Sequence, residues 1–566
     1  MPHPQCIATH TRRPQVAYFS MEIALQDDIP TYAGGLGVLA GDTMRSAADL
    51  ELPIVAVTLA SRAGYFRQVL TVDGAQSEEP DYWRPEDHAT AADAKIALRL
   101  EGRRVWVQAW VYEVASEQRG TVPVLLLDTD VADNTIEDRA LTHHLYGGDD
   151  AYRLKQEAVL GIGGVRMLYA LGFEIHQYHL NEGHAALLAL ELAQREAQVQ
   201  RRSTTDAFDL ARVRAQCNFT THTPVEAGHD QFSYDLVARV FGDRPELAEL
   251  QRFGGYERLN MTRLALNFSD YVNGVARRHA EVSRTMFPEY RVHAISNGVH
   301  PATWTSEGFA RMYDHHLPGW CHEPDMLVRA DQIADGEVWH AHQDAKQLLI
   351  HRIHERTGAR FDPGVFTIGF ARRMTAYKRP DLLFADLAAV RRLARTHPVQ
   401  VVLAGKAHPK DDAGKQLIVR LHQIAAELTG AVPMVFLNGY DTALARWLVA
   451  GVDLWLNTPR PPLEASGTSG MKASLNGVPS LSSLDGWWIE GCVPGVTGWA
   501  IDPADDVSDD AAAASLYQRL EEDVLPLYYD HRPGWLAVMK GAISKNGSRF
   551  TSHRMLRHYV SDAYFG

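Results

Sequence analysis

The second half of the chain alternates between short apolar runs and helical patterns, and this alternation constrains the fold more than any other feature. Strand patterns at residues 365–371, 399–404, 433–437 and 452–456 are separated by helical patterns at 380–394, 413–428 and 442–450. Pro380 stands near the first turn of its helix, where proline is tolerated. Strands joined through helices of this length run parallel, and a parallel sheet is covered on both faces. Such sheets bind ligands at the carboxyl ends of their strands. The first half is more mixed. It has strand patterns at 15–20, 53–61, 95–100, 105–114 and 122–128, and helical patterns at 38–50 and 153–171. Gly161, Gly163 and Gly164 fall inside the second of these helices. A dinucleotide fingerprint would place them straight after a strand, so helix packing is the reading.

The 566 residues suffice for three or four average domains or two large ones. A hydrophobic content of 46% and a charged content of 22% are ordinary for a globular protein. The net charge of −14 excludes general nucleic-acid binding, which needs a basic face. An anionic substrate therefore requires a local group of cations. Cys6, Cys217, Cys321 and Cys492 are scattered, which fits a reducing cytoplasm rather than a disulfide frame or zinc site. Residues 1–15 contain no apolar signal core, and no run approaches a membrane span. The Asp-Ala-rich stretch 502–514 reads as an exposed loop leading into a helix. His340 and His342 lie on different sides of a helix, so no metal pair is expected there, nor any metal site elsewhere.

Two strand ends carry chemistry. Residues 463–477, LEASGTSGMKASLNG, read as a loop and short helix between two strands. Gly467 and Gly470 stand where the helix should begin, and a first helical turn has unpaired N–H groups that suit a phosphate. Thr468 and Ser469 add hydroxyls, and Lys472 follows within about one turn. This is not a P-loop, which needs GK[ST]. At the other strand end, RRMTAYKR crowds Arg372, Arg373, Lys378 and Arg379 beside a helix start that is itself positive. A bound anion would relieve that repulsion.

Together with other segments, these resemble the α-glucan phosphorylases (glycogen, starch and maltodextrin phosphorylase). Glu464-Ala465-Ser466-Gly467-Thr468 with Met471-Lys472 matches the family's EASGT…MK, and Asn476-Gly477 follows in register. Ser469-Gly470 replaces Gly-Asn, as in the short bacterial and archaeal branch. The cationic segment is similar to KRIHEYKR, with Thr375-Ala376 in place of His-Glu. AYFSMEIAL (17–25), the loop Gly34-Gly35-Leu36-Gly37, RLKQE (153–157), HLNEGH (179–184), FTTHTP (219–224), YVNGVA (271–276), ISNGV (295–299), GKA (405–407), FLNGY (436–440) and RFTSHR (549–554) also resemble family segments in the same order. Asp270 stands where the large members have a histidine for the sugar 6-hydroxyl.

The resemblance implies an α/β fold of the GT-B arrangement, two Rossmann-like lobes with a deep cleft, spanning residues 1–297 and 298–566 with the last helix crossing back. It implies reversible phosphorolysis of terminal α-1,4-linked glucose to α-glucose 1-phosphate, with pyridoxal 5'-phosphate as cofactor, in the cytoplasm. A homodimer is usual among the larger members. Lys472 would hold the cofactor, with Arg372 at its phosphate and Thr468, Ser469 and Tyr440 beside it. Arg373, Lys378 and the Gly35 N–H would bind the substrate phosphate. Tyr377, Asn297, Glu464, Ala465, Ser466 and Gly467 would meet sugar hydroxyls. Asn181 is either a helix cap or, with His184, part of a sugar-facing loop; the loop is the reading taken. Two rivals remain: a nucleotide-sugar-dependent glucan synthase of the same fold, which has no use for Lys472, and a non-catalytic glucan-binding relative, which would have no need of the phosphate cations.

Overall fold

A computed structural model describes residues 14–117, 120–199, 210–225, 228–242, 246–502 and 508–565. Cys6, the N-terminal stretch 1–13 and residues 503–507 of the Asp-Ala-rich segment lie outside the described residues. The chain divides into two compact units. One comprises Met1–Phe66, Pro80–Ile295 and Met555–Gly566; the other comprises Arg67–Glu79 and Ser296–Arg554.

The first unit is built on nine strands: β1 (Val16–Ser20), β2 (Ile54–Leu59), β3 (Thr90–Leu100), β4 (Arg103–Ala115), β5 (Thr121–Asp128), β6 (Gln177–Asn181), β7 (Cys217–Thr220), β8 (Tyr271–Gly274) and β9 (His293–Ala294). Their order across the sheet is β9-β8-β7-β6-β1-β2-β5-β4-β3. Strands β9 to β5 are parallel, and β4 runs antiparallel to both β5 and β3. Every residue of β1 and β2 is buried, as expected where both faces of a parallel sheet are covered. The antiparallel β3 instead alternates between buried and exposed positions toward its end. Chain order reverses between β1 and β6. Their carboxyl ends, Ser20 and Asn181, therefore flank a crevice of the kind in which open α/β sheets bind ligands.

The helix after the glycine loop, α1 (Gly35–Asp49), starts three residues before the apolar pattern indicates. Its glycines belong to the first turn: a Cβ on Gly37 would come within 2.6 Å of the Glu22 carboxylate. The pattern at 153–171 is one helical run with a π turn at Val159–Gly163. Its glycines serve packing, since a Cβ on Gly161 would lie 2.7 Å from the Leu188 nitrogen and one on Gly164 2.5 Å from the Phe19 ring.

The second unit has six parallel strands: β10 (Phe366–Ala371), β11 (Val399–Ala404), β12 (Met434–Leu437), β13 (Leu454–Asn457), β14 (Ser480–Ser483) and β15 (Gly498–Ile501). They are ordered β12-β11-β10-β13-β14-β15, the 3-2-1-4-5-6 order of Rossmann sheets. The switch point lies between β10 and β13. The helix expected from Pro380 does not form as one piece. A 3-10 turn at Leu382–Phe384 precedes an α-helix at Leu387–Thr396, because the Asp386 carboxylate accepts the Ala388 and Ala389 N–H groups and restarts the helix there.

At the amino edge of this sheet the Asp453 carboxylate collects the Lys346 ammonium at 2.6 Å, His342 at 2.8 Å and the Thr367 N–H at 2.7 Å, all buried. His340, two residues from His342, is exposed, so the two histidines do point apart. Among the described residues no helix is long and apolar enough to cross a membrane.

Candidate active site

In the second unit, two segments far apart in sequence meet at the switch point. Arg372 and Lys378 follow the end of β10, and Glu464 lies in the loop after β13. One oxygen of Glu464 accepts from Arg372 at 2.6 Å and from Lys378 at 2.5 Å. Asp485 holds this loop by accepting the Glu464 N–H at 2.7 Å and the Gly486 N–H at 2.9 Å. Burial raises the Glu464 carboxyl, but the adjacent Arg372 and Lys378 overcome it and hold the group down at about 2. Lys378 is pushed down to about 7, first by burial and then by Arg372, with Glu464 opposing. Its ammonium lies 4.5 Å from the centre of the Tyr377 ring. Burial, then Glu464, push the Tyr377 hydroxyl up to about 12.

The repulsion expected among four cations is thus divided. Arg379, with a left-handed backbone (φ 46°), turns away to the carbonyls of Thr458 and Pro459 at 2.8 Å each and to Asp509 at 2.9 Å. Arg373 is exposed. What remains is two buried cations against one carboxylate. Arg372 Nη1 is buried without a hydrogen bond, as are Ser466 Oγ and Asn297 Oδ1. A site with surplus positive charge and an unused guanidinium donor fits an oxyanion.

The helix carrying Lys472, α2 (Ser469–Ser474), begins after Thr468. Gly467 takes a positive φ of 83°. Gly470 lies in the first turn of this helix, as expected. A Cβ there would meet the Trp487 ring at 2.7 Å and Ser480 Oγ at 2.9 Å. The glycine brings the helix close to its neighbours. Ser469 Oγ accepts from the Trp455 indole at 3.0 Å. Lys472 is buried with its ammonium 3.9 Å from the centre of the Trp304 ring. Ala465 and Tyr440 are half-buried, the latter in the turn after β12.

In the first unit the crevice between β1 and β6 is lined by polar groups. Asn181 is not a helix cap: its amide donates to Ser20 Oγ at 3.0 Å and its carbonyl meets His222 Nε2 at 2.7 Å. Glu182 caps instead, at a positive φ of 76°, accepting the Gly183 N–H at 3.1 Å and the His222 N–H at 2.8 Å. His184 lies 3.6 Å from Asp230 and is pushed down to about 3 by burial and then by Arg153, so it is a neutral imidazole at physiological pH. Gly35 is exposed, and a Cβ there would meet nothing within 4 Å.

Sequence reasoning missed Glu22, which accepts the Ala33 N–H at 2.6 Å, the Gly34 N–H at 3.1 Å and the Tyr146 hydroxyl at 2.9 Å. It thereby fixes the glycine loop from below. The signal was present, since Glu22 is the acid of the AYFSMEIAL segment. Asp270, which stands where the large members have a histidine, is away from the crevice. It is exposed and precedes the amino end of β8, whereas the crevice is at carboxyl ends. His279 lies beyond the carboxyl end of β8 instead. It is buried, Nδ1 takes the Val275 N–H at 3.2 Å, and Nε2 has no hydrogen bond.

Comparison with known proteins supplies context for these groups. A sequence model of the family described as carbohydrate phosphorylase matches residues 225–492. Maltodextrin phosphorylase of Thermococcus litoralis is 38% identical over 97% of this chain and 70% of its own length. Glycogen phosphorylase of Mycobacterium bovis is 35% identical, with the same coverage of 97% and 70%. Glycogen phosphorylase of Aquifex aeolicus is 35% identical over 98% of this chain and 86% of its own.

Proposed function

Since the chain belongs to the carbohydrate phosphorylase family, we propose that it carries out reversible phosphorolysis of α-1,4-glucan, with inorganic phosphate and terminal glucose giving α-glucose 1-phosphate. The observation that carries this reading is the buried Arg372–Glu464–Lys378 group, with two cations on one carboxylate and an unused guanidinium nitrogen.

Cleaving the glycosidic bond develops positive charge at the sugar carbon and requires a proton on the leaving oxygen. Inorganic phosphate provides both the proton and the nucleophile. It protonates the glycosidic oxygen, the C1–O bond breaks, and a phosphate oxygen forms the new bond on the same face, with retention. Arg373 and Lys378 hold this phosphate, and the Gly35 N–H at the start of α1 meets it. Lys378, poised at about 7, gains its proton as the dianion arrives and so couples binding to charge.

Pyridoxal 5'-phosphate fits the residues present: Lys472 is buried on an aromatic ring, and Arg372 Nη1 lacks a partner. Lys472 would hold it, Arg372 would meet its phosphate, and Thr468, Ser469 and Tyr440 would flank it. When bound it supplies a second phosphate group as proton partner, with a pKa near 6 suited to exchange at neutral pH. Asn297, Tyr377, Glu464, Ala465, Ser466 and Gly467 orient the glucosyl unit, and Asn181 and His184 bind further sugar. His279, whose Nε2 is buried without a hydrogen bond, is the candidate for the 6-hydroxyl. In this reading the chain is an enzyme of the GT-B class, and the scattered cysteines support a reducing, cytoplasmic setting.

The test is borohydride reduction of protein supplied with the cofactor, followed by peptide mass mapping, alongside glucose 1-phosphate release from maltodextrin. A pyridoxyl adduct on Lys472 and loss of phosphorolysis in Lys472→Ala with glucan binding kept are expected. No adduct, with transfer from a nucleotide sugar instead, would overturn the reading in favour of a synthase.

A further inference from the structure

Residues 67–79 form a hairpin that belongs to the second unit although its neighbours in sequence belong to the first. Its strands Arg67–Leu70 and Gln76–Glu79 pair antiparallel. Gln68, on one strand, is 3% exposed. Its amide nitrogen donates to the Gly405 carbonyl at 2.9 Å and to Gln76 Oε1 at 2.9 Å, and its carbonyl accepts the Gly439 N–H at 3.0 Å. Gln76 pairs with Ala407 as a strand would: the Ala407 N–H donates to its carbonyl at 3.0 Å, and its amide donates to the Ala407 carbonyl at 3.0 Å. The Lys415–Glu78 ion pair at 2.9 Å adds a third tie.

The groups so gripped are the turns at the carboxyl ends of the neighbouring strands β11 and β12. The first turn leads to the cationic segment. The Arg372 N–H donates to the Ala404 carbonyl at 3.1 Å and the Met374 N–H to the Lys406 carbonyl at 3.0 Å. Gly405 lies so flat on that segment that a Cβ would come within 2.0 Å of the Arg372 carbonyl. Arg373 thus sits between two residues whose N–H groups are fixed by a turn that the glutamines hold. The second turn carries Tyr440. A side-chain amide suits this work, because it offers two donors and an acceptor together, whereas an ionised carboxylate only accepts.

We propose that Gln68 and Gln76 are positioning residues for phosphate binding, an amide ladder that holds the turns on which the Arg373 backbone and Tyr440 rest. The proposal builds on the phosphorylase reading above. Gln68→Glu is near in shape but aims a carboxylate at the Gly405 and Gln76 carbonyls. With the holoenzyme, Gln68→Glu and Gln76→Glu are expected to raise the KM for phosphate roughly tenfold, the scale of one lost buried hydrogen bond, while the KM for maltodextrin stays within about twofold. Val72→Ser at the fully exposed hairpin tip serves as control and should change neither. Two readouts need no turnover: hydrogen exchange at Ala407 and Gly439 should speed up, and the rise in melting temperature on adding inorganic phosphate should shrink. Unaltered exchange and unaltered phosphate stabilisation overturn the proposal. So does a parallel rise in both KM values with a large fall in melting temperature, which marks a purely structural role. If the wild type binds phosphate and the variants lose that response, yet no glucose 1-phosphate forms, the ladder stands and the phosphorylase reading falls.

Discussion

Replacing Glu464 by glutamine tests whether the buried cations depend on this carboxylate. Glu464 accepts two charged hydrogen bonds on one oxygen, at 2.6 Å and 2.5 Å. Each such bond contributes about 1.5–3 kcal/mol. The two losses are unequal. Lys378, already at about 7, can shed its proton near neutrality at little cost. Arg372 cannot, because a guanidinium keeps its proton in proteins. Glu464→Gln should therefore lose roughly one charged bond, about 2–3 kcal/mol, which lowers the melting temperature by about 4–12 °C in a unit of this size.

The pH dependence has a definite sign. The folded carboxyl lies at about 2, below its unfolded value, so its stabilisation is present above the ordinary carboxylate range and disappears as pH falls through about 2. The variant loses that acid limb. The Lys378 ammonium is depressed instead, so it costs stability below about 7, and the cost is relieved as pH rises beyond that. The deficit of Glu464→Gln should accordingly be larger at pH 6 than at pH 9, where Lys378 is already neutral. Denaturant unfolding in phosphate-free buffer at both pH values measures this, and added phosphate should restore part of the loss. A deficit below about 0.5 kcal/mol, or one equal at both pH values, refutes the reasoning.

Two further perturbations probe the frame of the second unit. Gly298→Ala places a Cβ 2.1 Å from the Thr551 carbonyl carbon and oxygen, which are backbone and cannot yield; a loss of about 3 kcal/mol is expected, and an unchanged urea midpoint refutes it. Asp453→Asn leaves the fully buried Lys346 without its counter-charge; the cost should be about 3–5 kcal/mol, and a guanidinium midpoint near wild type would show that Lys346 is carried by other groups.

Much of the sheet was legible because burial on both faces writes itself as unbroken apolar runs. Residues 399–404 and 365–371 were readable within one residue for that reason. Gly161 was readable because a glycine in a helical period has few uses besides close packing. The cationic segment and Glu464 were each visible, but their union was not, since the partners are 92 and 86 residues apart. Gln68 was invisible for the same reason, its partner Gly405 being 337 residues away. The residue for the sugar 6-hydroxyl stayed open at Asp270 because a register match to a motif does not say which end of a strand a residue occupies. Pro380 misled because a permissible helix start lost to a stronger carboxylate cap at Asp386.

The segment Met555–Gly566 is counted with the first unit, and its side chains satisfy groups buried there. Tyr564 meets His179 at 2.7 Å, and Tyr559 meets Thr220 at 3.1 Å and Asn273 at 3.0 Å. During synthesis these partners wait for the whole of Ser296–Arg554 to be translated, roughly 13–50 s at the usual elongation rate. A nascent first unit must spend that time without these three tyrosine contacts, its imidazole, hydroxyl and amide bonded only to one another and to the Gly274 carbonyl. Its final locking is therefore set by the ribosome's clock, and that interval is when a chaperone would find it.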